Sequence, residues 1–155
     1  MKTYKSLKSA IGDERTILIV CPDCEFEGLD TRSERIFIYD CLFHCLDGRS
    51  SQEATLIEHY IKALRYHQIV VLAQNSCKAM TELATNEAHS TAEGSEQASM
   101  NEPNIPHEHQ TEDLVLSHIK FLEDKSFMKR CMENNDVVIK GFIWDSASKE
   151  LVEVH

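Results

Sequence analysis

The chain has 155 residues, 42% hydrophobic and 27% charged, which suits one globular domain with a core of useful size. Twenty-six acidic against sixteen basic residues leave a formal net charge of −10, which speaks against nucleic acid as the main partner because phosphate binding needs a basic surface. No apolar run approaches the roughly 20 residues that span a bilayer. The positive charge of Met1–Leu7 is followed by no apolar stretch, so the expectation is no membrane segment, no signal peptide and a cytoplasmic protein.

In chain order, residues 2–14 read as a short helix stopped near Gly12. The aliphatic run Thr16–Val20 reads as a buried strand, residues 25–34 as a polar loop and Arg35–Tyr39 as a second strand. Asp47–Ser51 is turn chemistry, with Ser50 as helix cap and Glu53 completing a capping box. Leu56, Ile57, Tyr60, Ile61 and Leu64 recur at helical spacing, which predicts an amphipathic helix over 52–67. The strand that follows, 69–72, makes a βαβ unit. Residues 84–111 carry almost no large aliphatics and read as a polar insertion within a single 1–155 domain. Residues 112–132 are helical again, 137–144 form a strand, and 150–154 pair back on it as a hairpin. The chain carries no internal repeat.

Two cysteines close strand-like runs: Ile17-Leu18-Ile19-Val20 leads into Cys21-Pro22-Asp23-Cys24, and Ile69-Val70-Val71-Leu72 into Ala73-Gln74-Asn75-Ser76-Cys77. Open parallel sheets build their sites at the carboxyl ends of the strands, where two thiols can hold a metal. Six cysteines (21, 24, 41, 45, 77 and 131) without a secretion signal point to reduced thiols, a metal site or redox chemistry. The bland reading, small buried hydrophobes, suits Cys131 best. His59, His67, His89, His107 and His109 read as ordinary surface or loop histidines, and Trp144 with Phe142 as core or interface packing.

This order of pieces resembles the β-class carbonic anhydrases. There a strand ends in Cys-x-Asp-x-Arg, a later strand reads Ile-Val-Val-x-Gly-His-x-x-Cys-Gly-Ala, and the chain closes with a Val-x-Gly-x-x-Tyr-Asp strand, a turn and Leu-x-x-Val. Here the corresponding stretches are Cys21-Pro22-Asp23-Cys24-Glu25, Ile69–Met80, and Ile139–Asp145 with Leu151–Val154. The resemblance covers residues 16–83 and 112–154. It implies an α/β fold with a central, mainly parallel sheet flanked by helices, and a homodimer. It also implies zinc held by two cysteines and a histidine beside an Asp–Arg pair, acting on CO2 and bicarbonate.

Carried over residue by residue, the resemblance makes Cys21 and Cys77 the thiolate ligands and Asp23 the catalytic aspartate. Gln74 falls where the histidine ligand belongs, Glu25 where the arginine belongs, and Lys78 replaces a glycine. Cys41-Leu42-Phe43-His44, preceded by Asp40, replaces an Arg-Asn-Ala-Gly-Asn-like segment.

Catalytic zinc needs three firm protein donors and an open position for water, whose pKa it pulls toward about 7. A neutral amide oxygen is a weak donor beside thiolate and imidazole. Glu25 puts a second carboxylate near Asp23 where a cation is wanted. The expectation is a carbonic-anhydrase-like protein with a degenerate site, the metal candidates being Cys21, Cys77 and Gln74. Two rescues stay open: ligation by Asp23, or a third strong donor from Cys24, Cys41, His44 or Cys45. The first closes the site with no room for water; the second would allow an active zinc lyase or a related hydrolase, for example on carbonyl sulfide. A third alternative is a thiol–disulfide protein built on Cys21-Pro22-Asp23-Cys24.

Overall fold

Thr16 to Val20, five residues buried without exception, make the strand around which the molecule is organised. The computed structural model describes residues 2–21, 23–40, 51–75, 107–134 and 136–155. In chain order these form β1 (Thr3–Tyr4), α1 (Leu7–Ile11), β2 (Thr16–Val20), β3 (Ile36–Asp40) and α2 (Ser51–Leu64). They continue as β4 (Gln68–Gln74), α3 (His107–Glu123), α4 (Ser126–Glu133), β5 (Val138–Asp145) and β6 (Glu150–Val154). The strands make one six-stranded sheet in the order β1-β6-β5-β4-β2-β3. β3, β2, β4 and β5 run parallel; β6 is antiparallel to β5, and β1 to β6. The expected α/β architecture with a mainly parallel sheet, the βαβ unit and the terminal hairpin are all present.

Side chains alternate across the sheet, so each parallel strand feeds two cores. On one face Ile17, Ile19, Ile69 and Val71 pack with Ile57 and Ile61 of α2, Val115 and Leu122 of α3, and Met128 of α4. On the other, Leu18, Val20, Val70, Leu72, Phe142 and Trp144 pack with Leu7 and Ile11 of α1 and with Leu29. Helices thus cover both faces. Gly141 lets α3 lie close on β5: a Cβ there would sit 2.6 Å from Val115 Cγ1 and 2.8 Å from Ile119 Cδ1. Among the described residues, no helix is long and apolar enough to cross a membrane.

Several expected boundaries are corrected. Residues 2–14 are not one helix. Thr3 pairs with Val152 and Tyr4 with Leu151, and the Tyr4 hydroxyl donates to Glu153 at 2.9 Å while its ring meets Phe142 edge-on. α1 starts only after Ser6, whose side chain accepts the Ser9 N–H, and it stops at Gly12 with φ +72°. α2 ends at Leu64 rather than at residue 67, because Arg65 turns into the left-handed region (φ +57°) and the Tyr66 N–H reaches back to the Tyr60 carbonyl. The helix read over 112–132 is two, the first beginning at His107. Leu122 and Phe127 are five apart, which breaks the 3.6-residue stripe, and the extended backbone of Lys125 absorbs the slip. The cap read at Ser50 with Glu53 lies outside the described residues.

Candidate functional site

β2, β4 and β5 end side by side. Val20 lies beside Leu72, and Gln74 beside Trp144. β2 is also where the winding reverses, with β3 on one side and β4 on the other. Open α/β sheets bind ligands beyond the strand ends at such a reversal. Cys21 follows β2 directly and Gln74 is the last residue of β4, so both expected positions lie on this edge.

Their side chains leave the sheet in opposite phases. Cys21 is 1% exposed and packs in the cluster with Ile17, Ile19 and the α2 residues. Gln74 continues the phase of Val70 and Leu72, on the α1 side, and its Oε1 is shut off from solvent. An ion shared by the two would therefore have to lie beyond the strand ends rather than on either face. Asp23 and Glu25 are exposed and Cys24 is half-buried, in a turn closed by the Cys24 N–H on the Cys21 carbonyl at 3.1 Å. Asp40 is exposed at the end of β3. Cys77, Lys78, Cys41, His44 and Cys45 lie outside the described residues.

The described donors on this edge fit a catalytic zinc poorly. Among the described residues the strand ends bring one buried sulfur, one amide oxygen and exposed carboxylates, with no imidazole. No group of three His, Cys, Asp or Glu side chains stands close enough to hold a metal ion among them. Trp144, 1% exposed, has an indole N–H without a hydrogen-bond partner among the described residues; it can only donate, so it offers nothing to a metal. Among the described residues, the turns after β2 hold no helix before β3 begins at Ile36. The Cys21–Cys24 segment therefore lacks the helix N-terminus that lowers a thiol pKa in thioredoxin-like sites.

A polar network beside these residues gave no sequence signal beyond its turn composition. The Asn75 side-chain amide donates to Asp145 Oδ1 at 2.9 Å, and the Asn75 N–H donates to the Trp144 carbonyl at 3.2 Å. Asp145 also accepts from the Ala147 N–H at 2.9 Å and the Ser148 hydroxyl at 2.8 Å. Led by the Ser148 hydroxyl, these donors hold the Asp145 carboxyl below its ordinary value of 3.8. The network clamps the end of β4 to the β5–β6 turn and so braces the edge that carries Gln74.

No family model matches the chain. No curated protein matches it either. Solved structures do. The β-carbonic anhydrase CafD of Aspergillus fumigatus is similar over 93% of this chain and 91% of its own, with a TM-score of 0.65 at 14% identity. One of two tetrameric β-carbonic anhydrases of Sordaria macrospora is similar over 90% and 80%, with a TM-score of 0.61 at 13% identity. A carbonic anhydrase of Streptococcus mutans is similar over 91% and 81%, with a TM-score of 0.53 at 18% identity. The fold is therefore that of the β-carbonic anhydrases, carried by a sequence far from theirs.

Proposed function

We propose that this protein keeps the β-carbonic-anhydrase scaffold without efficient CO2 hydration, its zinc site degenerate and its role one of binding or assembly. The observation that carries this reading is the amide of Gln74 at the end of β4, where the resemblance calls for an imidazole. Without that nitrogen, the resemblance leaves the thiolates of Cys21 and Cys77 as its strong donors, and two thiolates do not support the water activation that hydration needs. Glu25, exposed beside Asp23, adds negative charge where a cation would orient the aspartate. No catalytic step is derived through zinc on this donor set. The protein is expected to be a homodimer.

The test is metal content and CO2 hydration of the purified protein, wild type against Gln74→His/Glu25→Arg. The wild type should hold substoichiometric zinc and hydrate CO2 at a rate near background. The double variant should raise zinc occupancy. Full zinc with rapid hydration in the wild type would refute the degenerate reading, and unchanged zinc in the double variant would refute the assignment of positions 25 and 74.

A further inference from the structure

The other end of the sheet, where the parallel strands begin, holds a cavity of about 290 Å3 between the C-terminal ends of α2 and α4. Its charged and titratable lining is Lys62, Arg65, His67, Arg130 and Asp136, with Phe127 and Cys131 as buried floor. Four of these five groups are basic, in a chain whose net charge is −10. Lys62 comes from the last turn of α2, Arg65 and His67 from the link to β4, Arg130 from α4, and Asp136 from the link between α4 and β5. We propose that this cavity binds a small phosphate-type oxyanion.

The simpler explanation is that the cations serve the carbonyl ends of the two helices. Part of that need is already met. Leu64 O accepts from Arg15, Tyr60 O from the Tyr66 N–H, Arg130 O from the Asn134 N–H, and Cys131 O from the Asp136 N–H. Lys62 pairs with Glu58, but neither Arg65 nor Arg130 has a carboxylate partner among the described residues. Two exposed arginines thus stand at one cavity without a carboxylate partner among the described residues, and a guanidinium is the side chain best shaped for a phosphate. His67 Nδ1 lies 3.1 Å from the Asp136 carbonyl, which can only accept, so Nδ1 carries a proton and Nε2 is the ring's other polar atom. Burial pushes the Cys131 thiol up, so the floor is neutral and does not repel an anion. The volume lies at the small end of the roughly 300–1,000 Å3 usual for small-molecule sites, which favours a compact ion.

Arg65 supplies an unusual probe. Its φ of +57° is one that glycine adopts freely and a side chain resists. Arg65→Gly therefore removes a cation from the cavity while easing the backbone. In thermal denaturation of the full chain, inorganic phosphate should raise the wild-type Tm above sodium chloride of equal ionic strength. Arg65→Gly and Arg130→Gln should each weaken the apparent phosphate affinity about tenfold or more. Arg65→Gly should do so with no loss of Tm in the absence of phosphate. Glycerol phosphate in place of free phosphate separates a phosphorylated metabolite from the bare ion: binding of the ester assigns the first, binding of phosphate alone the second, and either supports the site. No phosphate shift in the wild type, or a shift undiminished in either variant, overturns the proposal.

Discussion

At the scale of single residues, Asp145 shows how local donors become a dependence on pH. Its carboxylate takes the Ser148 hydroxyl, the Ala147 N–H and the Asn75 amide, and all of these favour the charged form. Its folded pKa lies below the ordinary 3.8, so folding favours the ionised state. The resulting stability is complete above about pH 4 and is lost as pH falls through the depressed folded value. Asp145→Asn should lower Tm at pH 7 and leave a shallower loss of stability as pH falls below about 4 than the wild type shows. Parallel acid-unfolding curves for the two proteins would rule out Asp145 as a contributor. Residue identity could not reveal this network, because Asn75 and Asp145 are 70 positions apart and meet only through the register that sets Gln74 beside Trp144.

Among the elements, the packing of α3 on β5 is the tightest contact with a single-residue cause. A methyl group at position 141 would press on Val115, whose β-branched side chain has little rotamer freedom, and on Ile119. Gly141→Ala should destabilise by about 1–3 kcal/mol, measured by urea unfolding. An unchanged midpoint would mean that α3 can shift outward at no cost. Element type was legible wherever burial imposes a period: Thr16–Val20, the α2 stripe and the β5–β6 hairpin all followed from their patterns. Three features escaped. β1 is two residues long, too short to show any period, and is a strand by its pairing with Leu151 and Val152 of β6. The break between α3 and α4 is a phase slip inside an otherwise helical stretch. The opposite phases of Cys21 and Gln74 appear only once strand bounds and faces are known.

For the whole molecule, the order of elements around the sheet carried the likeness to the β-carbonic anhydrases. Scaffold positions need only be apolar and suitably sized, and many sequences satisfy that. Donor positions need particular atoms, so a glutamine where a resemblance calls for histidine reads at once as a chemical difference. Association belongs to this scale too. The sheet ends on one side in β3, where Ile38 is 42% exposed, and on the other in the very short β1. Sedimentation velocity at micromolar concentration should find the dimer mass, and a single species at monomer mass would exclude the expected homodimer.

The pairing of Thr3 with Val152 carries a consequence for synthesis on the ribosome. β2 cannot fill both of its hydrogen-bonding edges until Gln68–Gln74 has left the exit tunnel, and β1 has no partner until Leu151 and Val152 emerge. β1, translated before the other described strands, is thus among the last of them to dock.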